Sequence, residues 1–134
     1  MRVMIIGCGR VGSGLANHLN AEGHQVVVLD RDQQAFRRLS EDFSGERIVG
    51  NGLIEEYVRP TLEEKTDYLF AVTDKDNVNL MIAQKIKRKF QVERVIARVH
   101  DVSLADLYRQ ELGLETVCPT DLVIKKLLEM TRES

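Results

Sequence analysis

A chain of 134 residues, 43% hydrophobic and 30% charged, can bury the core of one domain and is too apolar to be disordered, with little room for a separate substrate domain. A formal charge of −2 gives no broad attraction to phosphate backbones, so no nucleic-acid partner is expected. The longest apolar runs, such as residues 26–29 and 68–72, fall far short of the roughly 18 residues that cross a bilayer, Gly7 and Arg10 interrupt any signal peptide, and Cys8 and Cys118 suggest neither a disulfide framework nor a zinc site, so a cytoplasmic protein is expected.

In chain order, an apolar run at residues 3–6 predicts a buried strand. Gly7-Cys8-Gly9-Arg10-Val11-Gly12 follows, opening a helix with Val11, Leu15 and Leu19 on one face. A second strand at 25–29 ends beside Asp30, and the spacing of Phe36, Leu39 and Phe43 predicts another helix. After a third strand at 47–49 come Gly50-Asn51-Gly52 and a short helical pattern ending at Pro60, since proline cannot donate to the preceding turn.

The fourth strand, 68–73, leads through Thr73-Asp74-Lys75-Asp76-Asn77 into a helix with Ile82, Ile86 and Phe90 on one face. Its basic run Lys85, Lys87, Arg88 and Lys89 reads as the solvated end of a helix, where cations suit the dipole. A fifth strand, 94–99, carries Arg98; a helix with Leu104, Leu107 and Tyr108 on one face and Ser103 as its cap comes next. A sixth strand at 114–117 precedes a last helix, about residues 120–131, capped by Thr120 or Asp121 and apolar around more than one face. That surplus makes either a sticky terminus or, the favoured reading, a contact with another subunit. Alternating strands and helices predict the α/β class: a Rossmann-like, doubly wound parallel sheet of about six strands with helices on both faces, a single domain over residues 1–134.

The glycine loop has the strand before it, the helix after it and a carboxylate at the end of the second strand that a dinucleotide or mononucleotide site requires. Gly7 permits the tight turn, Gly9 lets phosphate reach the backbone, and Gly12 lets helix and strand pack; helix amides then face the anion. Asp30 suits a ribose diol and repels a 2′-phosphate, favouring NAD or an adenine mononucleotide over NADP, with Arg31 softening that preference; capping the next element is its other reading. Arg10 is placed to clamp a phosphate or to lie exposed on the first helical turn. Thr73 and Asp74 stand at the carboxyl edge of the sheet, suited to a ribose or a phosphate-bound metal, and Asp76 or Asn77 is expected to cap the next helix. Arg98 calls for a nearby anion, either a ligand phosphate or an acid such as Asp74. Asn51 and Gly52 form an edge of the base pocket or a plain turn. Cys8 reads as a small residue filling a niche, and no catalytic arrangement joins His18, His24 and His100. A cofactor domain of an NAD-dependent oxidoreductase is the rival reading.

Together with Asp30-Arg31-Asp32, Ala71-Val72-Thr73, Asp76, Asn79, Ile96-Ala97-Arg98-Val99 and Pro119, these motifs resemble the nucleotide-binding lobe of regulators of potassium conductance, the Trk/Ktr-type N domain, over nearly the whole chain. The resemblance implies a regulatory subunit that binds NAD(H), ATP, ADP or AMP and assembles as dimers, often as rings, beneath an integral-membrane potassium channel or transporter at the inner face of the membrane. It implies phosphate contacts from Gly7, Gly9, Arg10, Val11 and Gly12, ribose contact from Asp30, and the rest of the site from Asn51, Thr73, Asp74 and Arg98; Cys8, Arg31 and Gly52 are cofactor-binding candidates beside them. It makes the last helix the dimer element. Many members have an acid directly after the proline at position 119, where this chain has Thr120 and then Asp121, so no metal site is carried over; the second lobe of many full-length regulators is not expected within these 134 residues.

Overall fold

The computed structural model describes residues 1–133. Its six strands, β1 (Arg2–Ile6), β2 (Gln25–Asp30), β3 (Glu46–Val49), β4 (Thr66–Ala71), β5 (Val92–Arg98) and β6 (Glu115–Val117), form one sheet in the order β3-β2-β1-β4-β5-β6. Every pairing is parallel. Val3, Met4, Ile5 and Ile6 are at most 2% exposed, so β1 is covered on both faces, which is why its sequence runs apolar without alternating. The order reverses between β1 and β4, and that reversal opens a crevice at the carboxyl ends of the strands.

Helix α1 (Arg10–Ala21) and a 3-10 helix (Gln33–Arg38) lie on one face, enclosing Val3, Ile5, Val26 and Val28. Helices α2 (Glu55–Leu62), α3 (Asp76–Lys89) and α4 (Val102–Leu112) cover the other, over Met4, Leu69, Val95 and Ala97. Residues aligned in a parallel register share a face, so Tyr68, Phe70, Ile96 and Val117 all lie on the α1 side. Each is partly exposed, because α1 and the 3-10 helix sit over β1 and β2. Helix α5 (Pro119–Arg132) buries none of its residues, and Leu122, Val123, Ile124, Leu127, Leu128 and Met130 are each about half exposed.

The expected doubly wound sheet is present, with several local departures. Only Phe36 of the Phe36, Leu39, Phe43 set is helical; Leu39 and Phe43 are buried in the loop beyond. Asn17 and Asn20 of α1 hydrogen-bond the backbone of Arg38, Ser40, Asp42 and Ser44, satisfying groups that a helix would otherwise pair internally. Helix α2 continues past Pro60 to Leu62, with the exposed proline leaving one carbonyl to solvent. Asp101, not Ser103, caps α4, accepting from Leu104 N–H at 3.0 Å. Leu104 and Tyr108 pack inward while Leu107 stays exposed.

Helix α5 starts at Pro119 and has no side-chain cap, the fixed φ of proline favouring the first turn; Asp121 pairs with Lys125 at 3.0 Å instead. Neither Asp76 nor Asn77 caps α3, whose N-cap is Lys75. The Asp76 carboxylate turns to the β5–α4 connection, accepting from His100 N–H at 2.9 Å and Asp101 N–H at 3.1 Å and pairing with His100 Nδ1 at 3.0 Å. Lys87, Arg88 and Lys89 occupy the last turn of α3 as expected, and Lys85 reaches the Leu53 carbonyl at 3.0 Å.

Candidate functional site

The glycine loop turns the chain from β1 into α1. Gly7 adopts φ 107°, where a side chain is strained, and a β-carbon on it would lie 2.8 Å from the Thr73 nitrogen. A β-carbon on Gly12 would lie 1.7 Å from the Gly7 carbonyl oxygen, so this glycine is what lets α1 seat on the loop. Gly9 meets nothing within 4 Å and borders open space. It is the N-cap of α1 without a side-chain cap, so no side chain here competes for the first amides of the helix.

That space is a cavity of about 550 Å³ at the carboxyl ends of β1, β2 and β4. It is lined by Gly7, Cys8, Gly9, Arg10, Asp30, Arg31, Asn51, Gly52, Thr73, Asp74 and Arg98, eleven residues singled out from the sequence. Two singled-out residues stand apart. Val11 is outside the lining with its side chain 46% exposed, and Gly12 serves the packing just described.

Asp30 accepts from the Cys8 N–H at 2.7 Å on one oxygen and from the Asp32 N–H at 2.8 Å on the other. Capping of the 3-10 helix falls to Asp32, which accepts from Gln34 N–H at 2.9 Å. Each Asp30 oxygen therefore keeps acceptor capacity toward the cavity, as a ribose diol would need. Asn51 closes a tight turn onto Leu53 N–H at 2.9 Å, and Gly52 lies where a β-carbon would come 2.7 Å from Ile6 Cγ2, so the β3–α2 turn presses onto the cavity floor.

Thr73 is held by Asn79, whose Oδ1 accepts from its N–H at 2.9 Å and its hydroxyl at 2.6 Å. Of the two anions open to Arg98, a ligand phosphate or an acid such as Asp74, Asp74 is not its partner. The Arg98 Nη2 donates to the Thr73 carbonyl at 2.7 Å, and its Nε is buried without a hydrogen-bond partner. Burial, followed by the neighbouring Asp30 carboxylate, pushes the Cys8 thiol up to about 11. Cys8 is fully buried, so it fills its niche and is no ready nucleophile.

Arg38, Lys75, Asp32, Ala35, Leu53, Val78 and Ile82 also line the cavity, none of them a site candidate from the sequence. Lys75 lay inside the polar run after β4, so its neighbours could have flagged it. Arg38 belongs to no local motif; the 3-10 turn alone brings it to the cavity. With Arg10, Arg31, Arg38, Lys75 and Arg98 against Asp30, Asp32 and Asp74, the lining is positive although the whole chain carries −2. A concave, locally cationic site with a free helix start and a carboxylate at one end has the donors for a polyanion and the acceptor for a sugar. These residues fit a nucleotide.

The sequence profile of the TrkA-N domain matches residues 3–120. The Trk system potassium uptake protein TrkA of Streptomyces coelicolor is 40% identical over 132 residues, 96% of this chain, and this chain spans 59% of that relative's length. The TrkA-N domain of inner membrane protein ybaL from Escherichia coli superposes with a TM-score of 0.83 at 23% identity, covering 96% of this chain and 95% of that one. The GsuK channel bound to NAD superposes with a TM-score of 0.72 at 19% identity, over 88% of this chain and 21% of that one. At such identities the two structures speak for the fold, while the profile, carried over most of the chain, and the Streptomyces sequence speak for descent. The chain belongs to the TrkA-N domain family.

Proposed function

We propose that this chain is a regulatory subunit or domain that binds an adenine nucleotide, NAD(H) or ATP, ADP or AMP, and thereby controls potassium transport by an integral-membrane channel or transporter. The observation that carries the reading is the gathering of the glycine loop, Asp30, Thr73 and a set of cations around one cavity at the strand-order reversal. The potassium-uptake name of its Streptomyces relative and the NAD-bound channel of the same fold support the transport assignment. Gly9, Arg10 and the start of α1 take the phosphates, Asp30 with Arg31 the ribose, and Asn51 and Gly52 edge the base.

The work is binding and not catalysis: a nucleotide biases the assembly only through unequal affinity for its conformations. The assembly is a homodimer, extended to a ring in some settings, with α5 as its dimer element. Two surfaces support this, an α5 with no buried residue and a sheet face left partly bare at Tyr68, Phe70, Ile96 and Val117. The chain works on the cytoplasmic side, held at the inner face of the membrane by its partner; none of its described helices is long and apolar enough to cross a membrane.

Calorimetric titration with NAD, NADH, ATP, ADP and AMP tests the reading. Saturable binding of at least one is expected. Silence toward all five overturns it, and turnover of bound NAD with hydride transfer would move the chain to the oxidoreductases.

A further inference from the structure

The Asp30 end of the cavity carries more positive charge than an unmodified nucleoside can use. Arg31 and Arg38 line it, and among the described residues neither side chain has a hydrogen-bond or ion-pair partner. Arg47 stands behind them. Its register with Val28 sends it out of β3 on the α1 face, where its guanidinium lies 4.9 Å over the Phe43 ring. The charges of Arg38 and Arg47 both reach the buried Cys8 thiol, whose own N–H donates to Asp30, so both cations stand on the Asp30 side. Arg38 is held there from its backbone: its carbonyl accepts from Asn17 Nδ2 of α1 at 3.2 Å while its side chain reaches the cavity.

A ribose diol is neutral and asks only for an acceptor, which Asp30 supplies. With the 5′-phosphates over the start of α1, Arg31 and Arg38 are left without an anion. Asp30 by itself would repel a phosphate esterified to that ribose. Its two oxygens, however, accept from the Cys8 and Asp32 amides, and Asp32 in turn is engaged with the Gln34 N–H. At comparable range the pull of Arg31, Arg38 and Arg47 exceeds the repulsion of these two carboxylates, and a guanidinium grips a phosphate through paired donors.

We propose that this end of the cavity is a subsite for a phosphate ester on the adenosine ribose, as NADP(H) carries at its 2′ position, and that Arg38, aided by Arg31, is the specificity-determining residue that takes it. An arginine near the end of the second strand is how Rossmann-type sites accept a 2′-phosphate. The proposal rests on the adenine-nucleotide reading of the same cavity and adds to it a ligand class that Asp30, read from sequence, disfavours.

Three isomers carry the test: ADP, adenosine 2′,5′-bisphosphate and adenosine 3′,5′-bisphosphate, which differ only in where the second phosphate sits. They are titrated by calorimetry into the wild-type protein, Arg38→Gln and Arg31→Gln, with AMP as the reference. The wild type binds at least one bisphosphate as tightly as AMP or more so; preference for the 2′ isomer assigns an NADP(H)-type ligand, and preference for the 3′ isomer a 3′-phosphoadenosine. Arg38→Gln weakens the preferred isomer about tenfold relative to AMP and ADP, the weight of one charge-assisted hydrogen bond. Arg31→Gln shifts the same ratio in the same direction. Arg38 is exposed, so its replacement leaves the fold intact. A wild type that binds both bisphosphates more weakly than AMP overturns the proposal and leaves the nucleotide reading standing, as does an Arg38→Gln loss that is absent or equal for all four ligands. A wild type that binds none of the four overturns the reading and the proposal with it.

Discussion

Three glycines of one short loop carry three different jobs, and substitution separates them. Gly12→Ala forces a carbon onto the Gly7 carbonyl at 1.7 Å, so urea denaturation should show a loss of about 1–3 kcal/mol or more, the usual range for overpacking. Gly9→Ala meets open space and has a backbone conformation alanine accepts; its stability should stay within about 1 kcal/mol of wild type while its methyl intrudes on the phosphate path and weakens every nucleotide. Identical stability losses in the two variants would contradict the division. On the ligand side, Asp30→Ala should weaken all adenosine ligands together, whereas Arg10→Ala should mainly blunt discrimination between one, two and three phosphates. Uniform loss in the Arg10 variant would remove its sensing role. The places of Gly9, Arg10 and Asp30 around the cavity were legible in the sequence because each follows a predicted strand or opens a predicted helix. Arg38 was not, since a cation in a variable turn carries no spacing signal, and of the two anions open to Arg98 from its charge, the acid gives way to a backbone carbonyl.

Among the elements, the junction of α3, β5 and α4 is held by one carboxylate. Burial opposes the charged form of Asp76, but hydrogen bonds from the His100 backbone and ring and from Asp101 N–H outweigh it and hold the carboxyl below the ordinary aspartate range. A depressed folded-state value contributes stability that is present above the unfolded value, near 3.9, and is lost as the pH falls through the folded one. Asp76→Asn should therefore cost about 1 kcal/mol at pH 7, and the gap from wild type should narrow below about pH 4. Urea midpoints at pH 7 and pH 3 measure it; a gap that widens in acid is the wrong sign for this account. Strand positions were readable because buried parallel strands must be apolar on both faces. Helix ends were less so: Asp101 and Ser103 are both good caps, and only the pull of Asp76 on the Asp101 backbone decides between them. The apolar spacing of Phe36, Leu39 and Phe43 reported burial correctly, yet two asparagines of α1 had claimed the backbone that a helix needs.

For the whole molecule, the apolar surplus of α5 was visible in sequence, but the partly exposed half of the sheet face was not, because it emerges only from the strand order. If α5 serves a second copy, Val123→Glu combined with Leu127→Glu should shift sedimentation from dimer to monomer. The monomer should keep its fold, since neither side chain is buried within its own chain. Unchanged sedimentation would assign α5 to another partner. A parallel sheet is ordinarily shielded on both sides, and here one side is left partly exposed at Tyr68, Phe70, Ile96 and Val117. If a second copy covers it, assembly adds to the stability of an already folded monomer by mass action: dilution alone should act as a mild denaturant, and the melting temperature should climb with protein concentration.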